Sequence, residues 1–213
     1  MDYFCSWSGG KDSCLALHRA MKRWGPPQCL FSMLSEDAEH SRSHGIPRRI
    51  LQAQAQAMGL PIRLGVASWD DYESVFVGQL REFGDQGLRA GVFGDIDLQE
   101  HRDWEEKVCA EANMATLLPL WRENHRGLLD EFIGEGFKAL IVTVNTDMAP
   151  PSLLGQTLDH DLVSQLAQDG IDVSGEAGEF HTLVTDGPDF AEEVDYAVVG
   201  HRRIDQYAVL QLR

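Results

Sequence analysis

Ser8-Gly9-Gly10-Lys11-Asp12-Ser13 puts two glycines, two hydroxyls, a lysine and an aspartate into six residues. Glycines lack Cβ, so their main-chain N–H groups can close on an anion. Lys11 adds a full positive charge, and Ser8 and Ser13 add hydroxyl donors. This is chemistry for holding phosphate. A second concentration lies at Gly175-Glu176-Ala177-Gly178-Glu179-Phe180-His181, where Glu176, Glu179 and His181 crowd a glycine-rich turn. Carboxylates beside an imidazole can bind a metal, deprotonate an amine or hold a cation. Hydrated loop acids are the plain alternative in a chain with 34 acidic residues. Gly94-Asp95 closes a short apolar run, placing Asp95 where it contacts a ligand or metal, or caps the next helix. His101 and Glu105 are four apart and share a helix face, which by itself reads as a solvated ion-pair face.

The elements that must position these residues alternate between strand-like and helix-like runs, the pattern of a parallel α/β fold. Strands are expected at 3–7, 29–34, 62–66, 91–94, 115–118 and 138–144, and helices at 13–24, 48–58, 70–83, 101–112, 127–134 and 159–167. Segment 35–45 reads as a mobile loop, with His44 a surface histidine. Trp69, Trp104 and Trp121 read as core or interface residues. After Gly170, the runs 182–184, 196–199 and 207–210 suggest a small β-rich appendage. The boundary is soft: 1–120 for the nucleotide-binding body and 121–213 for a substrate-binding subdomain. The six-residue motif falls between the first strand and the first helix, where unpaired N–H groups and the helix dipole favour an anion. A Walker loop, G-x-x-x-x-G-K-[ST], and the G-x-G-x-x-G fingerprint do not occur there.

Charge narrows the function classes. Lys and Arg total 18 against 34 Asp and Glu, a net −16, which weighs against a nucleic-acid substrate because such binding draws its affinity from cations on phosphates. No apolar run is long enough to span a bilayer. Cys5, Cys14, Cys29 and Cys109 are far apart with no CxxC, so neither a disulfide framework nor a zinc site is expected, and a reducing cytoplasm fits.

SGGKDS resembles the pyrophosphate loop of the PP-loop ATP pyrophosphatases, a superfamily of adenine nucleotide alpha hydrolase-like enzymes that cleave ATP between the α and β phosphates. Further segments are similar to one branch of it, the diphthine–ammonia ligase family: Val92-Phe93-Gly94-Asp95-Ile96 with His101-Arg102, Trp104-Glu105 and Cys109; Pro119-Leu120-Trp121 with Leu128-Leu129 and Glu131; Leu154-Gly155 with Leu158-Asp159; and Gly175 to Val184 with Asp186-Gly187-Pro188. Ser174, Ala177 and Gln156 depart from the family's commoner Cys, Asn and Arg, which leaves the acceptor open.

The resemblance implies a HUP-like (Rossmann-like) parallel-sheet nucleotide-binding domain with a small C-terminal α+β appendage. It implies an AMP-forming amide ligase that adenylates a carboxylate and transfers ammonia. Ser8, Gly9, Gly10, Lys11, Asp12, Ser13, Gly94 and Asp95 would bind ATP; Lys11, Glu176, Glu179 and His181 would be catalytic; Asp95 would hold Mg2+. Expected partners are ATP, ammonium and a carboxylate acceptor such as diphthine on elongation factor 2, with no nucleic acid and no membrane, and with a homodimer left open. Another acceptor, or a nucleotide sensor without catalysis, are the alternatives. A sulfur-transfer enzyme would need paired cysteines and a basic surface.

Overall fold

The computed structural model describes residues 1–213. Chain order is β1 (Tyr3–Ser6), α1 (Lys11–Trp24), β2 (Cys29–Leu34), α2 (Arg48–Ala57), β3 (Ile62–Val66), α3 (Tyr72–Asp85), β4 (Ala90–Val92), α4 (Gln99–Glu111), β5 (Ala115–Leu117), α5 (His125–Gly134), β6 (Lys138–Asn145), α6 (His160–Gln168), β7 (Phe180–Asp186), β8 (Val198–Ile204) and β9 (Tyr207–Leu212). The first five strands form one parallel sheet in the order β3-β2-β1-β4-β5. Both faces of that sheet are covered, as parallel sheets require. Alternation along β1 shows how: Tyr3 and Cys5 join the core cluster that includes Leu17 and Ile50, while Phe4 points the other way into Phe31, Phe76, Phe83 and Phe93. No helix is long and apolar enough to cross a membrane.

The last four strands form an antiparallel sheet, β7-β6-β9-β8. Its inner strand β6 is buried from Ala139 to Asn145 and shares a core with the parallel sheet: Tyr3, Leu17, Ile141 and Leu183 belong to one cluster of 40 buried residues. Two main-chain links tie the layers, Val184 N–H to Gly9 O at 2.9 Å and Ala191 N–H to Ala57 O at 2.8 Å.

Boundaries differ from expectation in instructive places. Helix α1 begins at Lys11 rather than Ser13, so the second half of the motif is the helix's first turn. β8 runs to Ile204 through His201-Arg202-Arg203. It is an edge strand, exposed along nearly its whole length, and charged residues of the kind that protect sheet edges hid it in the sequence. The 35–45 segment is held by bridges Leu34–Ser41 and His40–Pro47. Contrary to the surface reading, the His44 ring packs against β7, which closes over it from 138 residues further along the chain.

Candidate active site

In a 3-2-1-4-5 sheet the chain reverses its direction of build between β1 and β4, and a crevice opens beyond the strands' carboxyl ends. The loops leaving these two strands are Ser8–Gly10 and Phe93–Leu98. Gly9 adopts φ +81°, a left-handed conformation that favours glycine. The loop is braced from within, since Ser8 Oγ accepts from Gly10 N–H at 3.2 Å and lies 3.0 Å from Ser13 Oγ. It is braced from behind by Gln54, whose Nε2 donates to Gly9 O and Val184 O at 2.9 and 2.7 Å, while Trp7 Nε1 donates to Gln54 Oε1 at 3.0 Å. Lys11 N–H donates to Thr182 Oγ1 at 3.0 Å. The N–H groups of Asp12 and Ser13 point from the uncapped start of α1 with no protein acceptor, the state of a helix terminus ready for an anion. Gly94 lies directly against them: a Cβ there would sit 2.7 Å from Asp12 C and Ser13 N.

This corner is one end of a cleft of about 520 Å³. Lys11 is only 4% exposed and its Nζ pairs with Asp12 at 2.7 Å. The opposite wall comes from the second sheet. His44 and His181 stack with centroids 4.6 Å apart, and the His44 Nδ1–H donates to Thr182 O at 3.0 Å. Burial, the neighbouring His44 and the Lys11 charge push His181 down to about 3, so it faces the cleft as a neutral ring and not as a cation. Burial likewise lowers His44.

Four titratable groups gather beside the loop. Asp95 Oδ1 lies 2.7 Å from His101 Nδ1. Burial raises Asp95, but hydrogen bonds from His101 and Glu105 outweigh it and hold the carboxyl below its usual range. Glu105 takes the opposite course. It is 3% exposed, and burial together with the Asp95 bond and charge pushes it up to about 11. Glu105 is therefore a neutral acid donating to the Asp95 carboxylate, and the solvated ion-pair face read from the sequence is corrected by α4 packing onto the sheet. Glu176 accepts from Ile96 N–H at 3.1 Å; burial and the Asp12 and Asp95 charges raise it to about 7.

The Asp95 site does not fit Mg2+. One of its oxygens serves the His101 ring and a proton on Glu105 bonds the carboxylate as well, so its lone pairs are already engaged. A stability test follows from Glu105. Its folded-state value lies above the ordinary 4.5, so the folded chain holds a proton the unfolded chain gives up, and this contribution is lost as pH rises from about 5 toward 11. Glu105→Gln keeps the donor without the proton. Urea titrations at pH 5 and pH 8 are expected to show a smaller loss of stability with pH in the variant than in the wild type.

The Glu176 turn is fixed by a clamp that the sequence reading missed. Asp172 accepts from Ser174 N–H at 3.3 Å and Glu176 N–H at 3.0 Å. His125, at the start of α5, bonds Asp172 at 2.7 Å and Asp97 at 3.1 Å, joining the turn to the loop after β4. His125→Ala is expected to lower kcat by roughly tenfold through misplacement of Glu176, with ATP affinity unchanged. Steady-state kinetics alongside calorimetric ATP titration check it.

Of the residues singled out from the sequence, Ser8, Lys11, Asp12, Ser13, Gly94, Asp95, Glu176 and His181 meet in the cleft, with Gly9 and Gly10 forming the loop behind it. Glu179 does not line it. It is 7% exposed, its main-chain oxygen accepts from Asn145 N–H at 2.8 Å, and its Oε2 has no partner. Residues missed are Glu105 as a buried acid, His44, and an aromatic wall in which Tyr72 sits 6.0 Å from Trp69 and 5.7 Å from Trp104. Trp69 is 72% exposed, with the Arg42 guanidinium 4.5 Å above its ring, which excludes the core half of the core-or-interface expectation. Of the three departures from the family pattern, only Ser174 touches the cleft; Ala177 and Gln156 are exposed.

Comparison with known proteins gives consistent matches. Family models described as the diphthamide synthase N-terminal and C-terminal domains match residues 1–116 and 124–207. A Danio rerio protein named diphthine–ammonia ligase is 26% identical over 218 aligned positions, covering 88% of this chain and 83% of that protein. The Mus musculus protein of that name is 24% identical over 212 positions, covering 88% and 79%. A Schizosaccharomyces pombe protein of the same name is 24% identical over 219 positions, covering 91% of this chain and 36% of that longer protein.

Proposed function

The chain belongs to the diphthamide synthase family, and from that premise we propose that the cleft is the active site of an ATP-dependent amide ligase. It adenylates a carboxylate, releases pyrophosphate, and transfers ammonia to the acyl group with loss of AMP. The observation that carries this reading is the meeting of the Ser8–Ser13 loop and the Glu176–His181 turn in one cleft. A carboxylate has a poor leaving group; adenylation supplies a good one. The free N–H groups of Asp12 and Ser13 and the Lys11 ammonium stabilise the charge that develops on the departing pyrophosphate. Enclosure by β7 then holds nucleophile and acyl-adenylate together, which supplies much of the remaining acceleration.

The acceptor we propose is diphthine carried by elongation factor 2, with ammonium as the nitrogen source and the cytoplasm as the compartment. We place the division between nucleotide-binding body and substrate-binding part near residue 120, after the last parallel strand and before α5. Asp95 is given no metal role; a divalent ion would arrive on the phosphates of ATP. The single departure inside the cleft, Ser174, is the position at which acceptor preference would differ from relatives. Incubation with ATP, magnesium chloride, ammonium chloride and diphthine-bearing elongation factor 2 tests the reading by mass spectrometry. AMP, pyrophosphate and a carboxylate-to-amide mass change are expected. ADP with phosphate, or intact ATP, would contradict it.

A further inference from the structure

Two polar atoms buried in the cleft wall have no partner in the protein, Glu105 Oε2 and Ser174 Oγ. Each residue is more than nine-tenths buried, where an unpaired polar atom is costly. Glu176, two residues after Ser174 in sequence, has one carboxyl oxygen on Ile96 N–H, and its charge and that of Asp95 both bear on the Glu105 carboxyl. Asp95 is meanwhile taken up by His101 and Asp12 by Lys11. What remains in the cleft wall is the second Glu176 oxygen, on a carboxyl not paired with any cation, together with the buried Glu105 Oε2 and Ser174 Oγ, which can each accept a further hydrogen bond. Phe76 and Trp104, packed 5.0 Å apart, form the apolar side of the same cleft.

We propose that Glu176, Glu105 and Ser174 form the capture site for the ammonium ion, and that Glu176 is the base that deprotonates it. The proposal rests on the amide-ligase reading. Ammonium carries donors on every side and no acceptor, so it complements this set. The Glu176 carboxylate takes one proton from ammonium, freeing the nitrogen lone pair. The nitrogen then bonds to the acyl carbon as the bond from that carbon to the AMP phosphate oxygen breaks, and AMP leaves with that electron pair. A second proton passes from nitrogen to water, leaving the neutral amide. Groups facing Glu176 are Lys11 and Asp12 from α1, Asp95 from the loop after β4 and His101 and Glu105 from α4. Burial first, then the Asp12 and Asp95 charges, raise Glu176 to about 7, the range in which a base works best, against the Ile96 N–H bond and the Lys11 charge.

Hydroxylamine separates this role from a structural one, because it is uncharged near neutral pH and attacks acyl-adenylates without first losing a proton. The full chain is assayed with ATP and the diphthine-bearing acceptor, using ammonium chloride or hydroxylamine as nucleophile. Glu176→Gln is expected to lower kcat/KM for ammonium by on the order of 10²–10³-fold while hydroxamate formation stays within about threefold. Glu105→Leu is expected to raise the ammonium KM by roughly tenfold with the ATP KM unchanged, and Glu105→Gln to raise it less. Equal loss with both nucleophiles, or a rise in the ATP KM alone, would overturn the proposal. Wild-type protein that yields neither amide nor hydroxamate would instead remove the ligase reading itself.

Discussion

Replacing Lys11 with methionine is expected to slow release of pyrophosphate from ATP by on the order of 10²–10³-fold, the usual consequence of removing one fixed donor from a developing anion. The side chain is 4% exposed and its ammonium is held only by the partly exposed Asp12 carboxylate, at 2.9 and 2.7 Å. That partner is weak enough to exchange for a pyrophosphate oxygen. Methionine keeps the aliphatic stem near the Phe180 ring, which the Lys11 ammonium approaches to 6.0 Å, so packing is preserved while charge is lost. Nucleotide affinity is expected to fall less than turnover, because the N–H groups of Asp12 and Ser13 remain. AMP formation measured beside calorimetric ATP binding distinguishes the two. Turnover equal to the wild type would show that this lysine does not face the leaving group.

The second large effect is expected at Gly94, through geometry alone. A Cβ at this position would lie 2.7 Å from Asp12 C and Ser13 N and 3.0 Å from Asp12 O. All three are main-chain atoms, so relief requires the first turn of α1 or the end of β4 to move. Overpacking of this kind costs about 1–3 kcal/mol. A displacement approaching 1 Å at a reacting centre costs about 10²-fold in rate. Gly94→Ala is therefore expected to fold, to lose urea resistance by that amount, and to form AMP roughly a hundredfold more slowly. Gly78→Ala provides the contrast. It lies within α3, a Cβ there meets nothing within 4 Å, and the substitution is expected to stabilise by about 0.5–1 kcal/mol with activity retained. Gly94→Ala with wild-type kinetics would mean that the loop tolerates displacement and does not set the phosphate geometry.

The sequence made the phosphate loop legible because everything that defines it is local: two glycines, a lysine and a helix start within six residues. The parallel body was legible for a similar reason, since its short apolar strands alternate with amphipathic helices. The carboxyl cluster was only half legible. Asp95 and Glu176 stand in recognisable strings, but the state of Glu105 depends on how deeply α4 packs, and a charged helix face reads the same whether solvated or buried. His44 and His181 are 137 residues apart and meet only because β7 folds over the loop after β2. Glu179 shows the converse: it belongs to the most distinctive string of the chain, yet lies off the cleft wall, because which way a residue in a turn points is decided by its packing.

A crystal structure with an ATP analogue whose α–β bridge cannot be cleaved tests most directly whether the Ser8–Ser13 loop grips the diphosphate. The expected density places the β and γ phosphates against the N–H groups of Asp12 and Ser13, with Lys11 Nζ turned from Asp12 onto a phosphate oxygen and the α phosphate directed toward Glu176. Phosphates bound at any other part of the molecule, with the Lys11–Asp12 pair undisturbed, would contradict it.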